Sequence, residues 1–481
     1  MSGDDSLDAR REDNGHAEGR RDEDRRDLTT GAVWWNLVRL AGPMLFGIAA
    51  VISVQLVDTF FVGRLGTGPL AALSFSFPVS LTLTSLSIGL SAGAASVVSR
   101  AIGRRHRRRA RRLATDSLLL AVLIVLLITL AGLATVEPVL RLVGARGEVL
   151  ELAMAYMRIW YLSLPFVVVP MVANAMVRAC GDAFWPSAIM ITASLINVAV
   201  TPVLVFGLGP VPALGIEGAA LGTLVARVIS SAMALHLVLF RDRLVVPKLP
   251  DPSRFLRSAA QLLRIGVPAA AGNASNPVGI GLATAVIAVL GAETVAAFGV
   301  ATRIEAFAVL PMLALSSAIG PVVGQNWGSG RRDRVRRALA IAYAMCVGWS
   351  VVLAIVFWTL GRPIAALFAS EPSVADEAAR YLHIVPLSLG GYGIAIVAAG
   401  GYNGLGKSMT GLAYSLSRTM VFYVPLVWIA SRIDGSTTVY GAISAANALA
   451  GIAIAVHSLW WVGAAERHGR ERGSGEAGDS S

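Results

Sequence analysis

The sequence predicts an all-α membrane protein, with twelve transmembrane helices in two pseudo-two-fold-related six-helix bundles around a central cleft. Three observations predict it. The 481-residue chain is 55% hydrophobic and only 15% charged, where a soluble chain carries about 25% charged residues. Its apolar residues gather into twelve long segments. And matching residues recur at one constant spacing: Pro43 and Pro268, Leu65-Gly66 and Leu290-Gly291, Ala71-Ala72 and Ala296-Ala297, Val97-Val98 and Val322-Val323, Gly103 and Gly328, Arg111-Arg112 and Arg336-Arg337, Tyr156 and Tyr381, Gly181 and Gly406, all 225 residues apart.

In chain order, residues 1–33 are dense in charges of both signs and read as a disordered cytoplasmic tail. Segments 34–62, 70–101, 113–136, 152–178, 184–208 and 215–240 form a first lobe over 34–240. A cytoplasmic linker is expected at 241–260. Segments 261–291, 294–325, 338–360, 378–403, 408–431 and 437–463 form a second lobe over 261–463, and 464–481 is a second cytoplasmic tail. Leu118 to Val136 alone is 19 residues without a charge, close to the roughly 20 that span a bilayer. Backbone polar groups in lipid must be satisfied within the segment, so the segments are helices. Trp34-Trp35 and Trp460-Trp461 suit interfacial anchors. Cys180 and Cys346 lie in or at the ends of apolar segments and read as buried small residues rather than a disulfide.

The net charge of +11 is concentrated in short loops: Arg104, Arg105, Arg107, Arg108, Arg109, Arg111 and Arg112; Arg241, Arg243, Lys248, Arg254, Arg257 and Arg264; Arg331, Arg332, Arg334, Arg336 and Arg337. With alternating spans all three loops fall on one side, the positive-inside pattern of topology determinants and lipid-headgroup contacts rather than of nucleic-acid binding. Both termini are expected on that cytoplasmic side of the cell membrane.

Six helices per repeat give the halves the same orientation, related by an axis along the membrane normal, with a cleft between them. That is the architecture of an alternating-access transporter. Segment interiors hold two acidic residues, Asp58 and Glu305. A carboxylate at depth costs roughly 2.5–3.5 kcal/mol on insertion scales, so a chain that keeps one usually uses it. Asn197 and Thr201 stand four apart on one face of the fifth segment, and Thr223 lies two turns into the sixth. A carboxylate, an amide and two hydroxyls at one depth suit a hard monovalent cation or a proton, with helix–helix hydrogen bonding as the bland alternative. Gln55, Asn273, Asn276 and Glu305 are candidates for lining the substrate cleft; an internal ion pair is the competing role for Glu305. Pro277 marks a kinked stretch beside the two asparagines. Arg227 and His236 are expected to snorkel from the inner end of the sixth segment, and Arg418, His383 and His457 are isolated polar positions.

These residues resemble a family. Val57-Asp58-Thr59 followed by Val62-Gly63-Arg64-Leu65-Gly66 is similar to the first helix of MATE (multidrug and toxic compound extrusion) transporters. Asn174-Ala175-Met176-Val177-Arg178-Ala179-Cys180-Gly181-Asp182 resembles the end of their fourth, and Phe206-Gly207-Leu208-Gly209-Pro210 with Gly215-Ile216-Glu217-Gly218 their helix 5–6 junction. Ala301-Thr302-Arg303-Ile304-Glu305 and Val323-Gly324-Gln325-Asn326-Trp327-Gly328 resemble the eighth helix. The resemblance runs from about 34 to 463. It implies two six-helix lobes and export of cationic or amphipathic compounds in exchange for Na+ or H+, with Asp58 at the family's first-lobe coupling aspartate. Thr201 stands where that pattern often has Asp, Asn276 near where another branch has Glu, and 386–403 contains no acidic residue.

The expected function is therefore secondary antiport of small molecules, with no cofactor, no metal other than a Na+ at Asp58, membrane lipid as surroundings and a monomeric chain. A lipid-linked oligosaccharide flippase of the same superfamily is the alternative; it would want several cations inside the cleft and often has more spans. A membrane-embedded enzyme lacks its motifs here: paired Asp-rich diphosphate sites, a metal-ligating His pair, and a Ser/His/Asp set on one face.

Overall fold

The computed structural model describes residues 27–207, 210, 212–246, 251–369, 371–433 and 435–478, with side chains described as far as Arg467. Twelve helical spans run in order: α1 Val33–Gly63, α2 Thr67–Gly103, α3 Arg107–Val143, α4 Gly147–Ala179, α5 Phe184–Phe206, α6 Gly215–Arg241, α7 Pro252–Leu290, α8 Ala292–Ala308 with Leu310–Gly328, α9 Arg332–Ala366, α10 Pro372–Ile384 with Pro386–Leu405, α11 Ser408–Ala430 and α12 from Ser436. Ten are long apolar spans without a sharp bend; α8 and α10 are pairs bent by 45° and 40°. Along α3, Leu123, Leu126, Leu127 and Leu130 are all exposed, Leu127 by 69%. Such a stripe at helical spacing is what a bilayer, not water, would cover.

The bend in α8 has a local cause. Pro311 has no backbone N–H and its ring crowds the preceding turn, so the helix breaks at Val309. The Ala308 carbonyl at the break accepts from the indole Nε1 of Trp349 on α9 at 2.8 Å, which keeps it satisfied away from water. Breaks in α4 and α10 fall at repeat-equivalent places. Ser163 donates to the Trp160 carbonyl and Ser388 to the Val385 carbonyl, each at 2.7 Å, and both pairs are 225 residues apart.

Helices α1–α6 and α7–α12 form two lobes that interlock at the end carrying the Arg-rich loops, here called the basic end. Leu37 and Leu40 at the start of α1 are buried in the core of the second lobe. Their repeat mates Leu262 and Ile265 at the start of α7 are buried in the core of the first. The closest backbone approaches obey the same symmetry. A Cβ on Gly103 would overlap the Gln325 carbonyl, and one on Gly328 would overlap the Arg100 carbonyl; 103 and 328 are mates, as are 100 and 325. Glycine lets these two backbones touch. Hydrogen bonds between the lobes cluster at this end too, including Ser96 Oγ to the Asn403 carbonyl at 2.5 Å and Gln325 Nε2 to the Ala179 carbonyl at 2.8 Å. The basic end is closed. Gly103→Leu is expected to wedge it open, because the clash is with backbone that no rotamer change can move. Spin labels at Arg108→Cys and Asp333→Cys would then report a longer distance between the lobes; an unchanged distance distribution would contradict this.

Three boundaries differ from the sequence expectation. Of the tail 1–33, residues 1–26 lie outside the described residues, but Asp27 to Gly31 form an ordered strap across the basic end. Leu28 is 0% exposed, its N–H donates to Gln325 Oε1 at 3.1 Å, and its carbonyl accepts from Asn36 and Asn326. Within 241–260, α7 already begins at Pro252, because Asp251 Oδ1 accepts from the Ser253 N–H at 2.9 Å as an N-cap with Pro at the first helical position. And 464–478 continues α12 as helix, where Arg332 bonds the Ala465 carbonyl and Arg336 pairs with Glu466 at 4.0 Å. Neither Cys180 nor Cys346 is in a disulfide.

Candidate functional site

Two contacts between α1 and α5 set the depth of Asp58. Near the basic end Gly47 lies against Ser187 and Met190, and near the other end the rings of Phe61 and Phe206 meet at 6.0 Å. The helices run parallel between these contacts. Asp58 is three residues before Phe61, Thr201 five before Phe206 and Asn197 nine before it, so at 1.5 Å rise per residue Asp58 stands within about a turn of Thr201. Gly222 and Gly218 let α6 close on α5: a Cβ on Gly222 would press on Thr201, one on Gly218 on the Leu204 carbonyl. Asn197 is 3% exposed and donates from Nδ2 to Thr223 Oγ1 at 3.2 Å, while Thr223 donates to the Ala219 carbonyl at 3.0 Å.

What remains is a set of acceptor oxygens without partners. Asp58 Oδ1, Asn197 Oδ1 and Thr201 Oγ1 are each buried with no hydrogen-bond partner in the protein. An orphaned buried polar atom costs about 1–3 kcal/mol, and three from neighbouring helices of one lobe suit a small hard cation, whose preferred ligands are oxygens, or a proton shared by the carboxylate. Of the expected group, Asn197 and Thr223 are joined by a hydrogen bond, and helix register sets Asp58 at a height similar to that of Thr201.

The sequence reading missed two members of this network. Arg227 does not snorkel. It donates to Ser163 Oγ at 2.6 Å, lies over the Trp160 ring at 5.5 Å, and acts electrostatically on both Tyr156 and Asp58. It is pulled inward because it sits one turn below Thr223 on the same face of α6, toward α4 rather than toward a lipid headgroup. That spacing of four was the available signal. Tyr156, the repeat mate of Tyr381, also lies in the field of Asp58.

The four cleft-lining candidates differ in their surroundings. Glu305 accepts from the Tyr381 hydroxyl at 2.6 Å and lies in the field of Arg418, so it is tied within its own lobe. Arg418, expected to be isolated, is 8% exposed. It donates to Asn276 Oδ1 at 3.0 Å and Asn447 Oδ1 at 3.2 Å and stacks over Tyr392 at 4.1 Å. Asn276 is therefore turned into the lobe. Asn273 is exposed and bonds its own helix at the Ala269 carbonyl, 2.9 Å. Gln55 is exposed, and its backbone carbonyl accepts from Thr59 at 2.8 Å. Each lobe so contains a carboxylate, a tyrosine and an arginine, built on the repeat mates Tyr156 and Tyr381 but with the charges on different helices.

Comparison with known proteins places this arrangement. The MatE family model matches residues 43–203 and again 268–429, two stretches whose starts are 225 residues apart, as in the internal repeat. The FAD transporter of Shewanella oneidensis is 33% identical over 431 residues, 90% of this chain and 95% of that protein. The multidrug export protein MepA of Staphylococcus aureus is 24% identical over 417 residues, covering 85% and 90%. The crystal structure of the Vibrio cholerae MATE transporter VcmN in the bent form superposes with a TM-score of 0.85 at 29% identity, over 91% of this chain and 98% of that one. With the family model on both halves and relatives matched along nearly their whole length, this multi-pass membrane chain belongs to the MatE family and is a transporter rather than an enzyme.

Proposed function

We propose that the chain is a secondary antiporter that exports amphipathic small molecules in exchange for Na+ or H+, with the coupling cation held at Asp58, Asn197, Thr201 and Thr223. The observation that carries this reading is the trio of partnerless oxygens on α1 and α5. A bound cation or proton would satisfy them, and whatever satisfies them stabilises one arrangement of the first lobe over another. Exchange follows if substrate prefers the other arrangement, because each ligand then weakens the other's binding by the same factor. The positive-inside pattern orients the Arg-rich end toward the cytoplasm, with both termini there and the chain in the cell membrane. The closed basic end then belongs to an outward-open state. The cleft lies within one chain, so a monomer suffices.

Two substrate classes are in view. The notion of cationic drugs rests on likeness to multidrug exporters such as MepA. A second reading, export of a flavin dinucleotide, is favoured by the 33% identity to a protein named FAD transporter. The test is efflux from proteoliposomes, loaded with ethidium or with FAD, with the Na+ gradient and the pH gradient imposed separately. Export driven by one gradient and not the other names the ion, and the cargo that moves names the class. Equal efflux with and without either gradient would rule out coupled antiport.

A further inference from the structure

The pseudo-two-fold axis relates two grooves at the basic end, and among the described residues only one of them is filled by the chain. The filled groove holds the strap. Asn36, Asn326 and Arg334 donate to its carbonyls: Asn36 to Thr30 at 2.9 Å, Asn326 to Leu28 at 3.0 Å, and Arg334 to Thr30 and Gly31 at 3.0 and 2.9 Å. The repeat mates of Asn36, Asn326 and Arg334 are Gln261, Ala101 and Arg109. These three line a cavity of about 420 Å³ between the lobes.

The cavity differs from its mate in charge. Arg100, Arg104 and Arg109 from the first lobe and Arg264 and Lys407 from the second surround it, over an apolar floor, and no residue lining it is acidic. Arg104 and Arg109 both act electrostatically on Arg100. The site is built rather than incidental. Arg100 reaches across to the second lobe, where Nη1 donates to the Leu405 carbonyl at 3.1 Å. It passes over Gly406, whose φ of +79° and position leave no room for a Cβ beneath the guanidinium. Lys407 is held over the Trp461 ring at 3.9 Å. Five cations crowded at one lobe junction repel each other unless an anion is shared among them, and guanidinium pairs match phosphate oxygens in geometry.

We propose that this cavity binds a phosphate-bearing anion that touches both lobes, as the strap does in the mate groove. The ligand chemistry has two sources, the headgroup of an anionic phospholipid in the cytoplasmic leaflet or a free diphosphate. The proposal stands apart from the coupling site and does not depend on it.

The test uses the full chain, purified in a neutral detergent and stripped of lipid. Inorganic pyrophosphate is titrated by calorimetry, and phosphatidylglycerol by native mass spectrometry with phosphatidylcholine as the neutral control. Saturable binding of at least one anionic probe is expected. Arg104→Ala with Arg264→Ala should weaken it about thirtyfold, roughly a factor of five for each cation removed. Arg111→Ala with Arg257→Ala removes the same charge at the same end but outside the cavity and should change it less than about twofold, and Arg104→Lys with Arg264→Lys should retain most of it. Phosphatidylglycerol binding alone identifies the headgroup; pyrophosphate binding identifies a free phosphate as sufficient. Failure of both probes to saturate, or equal loss in the two alanine pairs, would overturn the proposal.

Discussion

Asp58→Asn abolishes gradient-driven export while the protein remains folded and abundant in the membrane. The two halves of that expectation have separate grounds. The fold loses little, because Asp58 Oδ1 has no protein partner to give up and Asn has nearly the same shape. Function loses the only carboxylate among the oxygens of the first-lobe site. Typical coupling energies of 1–3 kcal/mol correspond to about 5–150-fold in affinity, and removing the charge should cost the upper part of that range. Asn197→Ala and Thr201→Val remove neutral ligands and should cost less. The competing role for Asp58 is to balance Arg227, which acts on it electrostatically. In that case Asp58→Asn would leave a half-buried guanidinium uncompensated, lower thermal stability and spare coupling in the surviving protein. Efflux in proteoliposomes and melting in detergent, measured on the same preparation, separate the two. Undiminished Na+- or pH-driven export by Asp58→Asn would end the proposed mechanism.

The legible parts of this molecule are those that the bilayer dictates. Lipid admits only internally bonded helices, so the apolar segments and the 225-residue repeat carry the architecture, and the family match repeats at that same spacing. Depth was legible as well, because alternating spans place Asp58, Asn197, Thr201 and Thr223 at similar heights. Facing was not. A lone charged residue in an apolar segment has a height but no stated neighbour, so nothing in the segments says that Arg227 reaches Ser163 rather than a headgroup, or that Arg418 bonds Asn276. Leu28 was hidden for a different reason. One buried leucine in a tail dense with charge leaves no periodic trace, and its burial depends on Gln325 and Asn326, about 300 residues away. The bend at Val309 did carry a local signal, Pro311, that the apolar run around it masked.

Arg418→Met is the substitution with the largest expected cost to the fold. It removes the donors to Asn276 and Asn447 and the cation over Tyr392, and it takes away the positive field in which Glu305 lies. A buried amide oxygen left without its donor typically costs about 1–3 kcal/mol, and two amide oxygens, on Asn276 and Asn447, lose theirs here. Melting of the purified protein should fall accordingly. The informative measurement is the double variant. If Glu305 and Arg418 balance one another inside the second lobe, Glu305→Gln should be mild alone, since Tyr381 can still donate to it, and should recover part of the loss in the Arg418→Met background, with a coupling energy of about 0.5–3 kcal/mol. If Glu305 instead serves the substrate, Glu305→Gln should weaken transport of cationic cargo and add to Arg418→Met without recovery. Strict additivity would therefore move Glu305 out of the lobe interior and back toward the cleft.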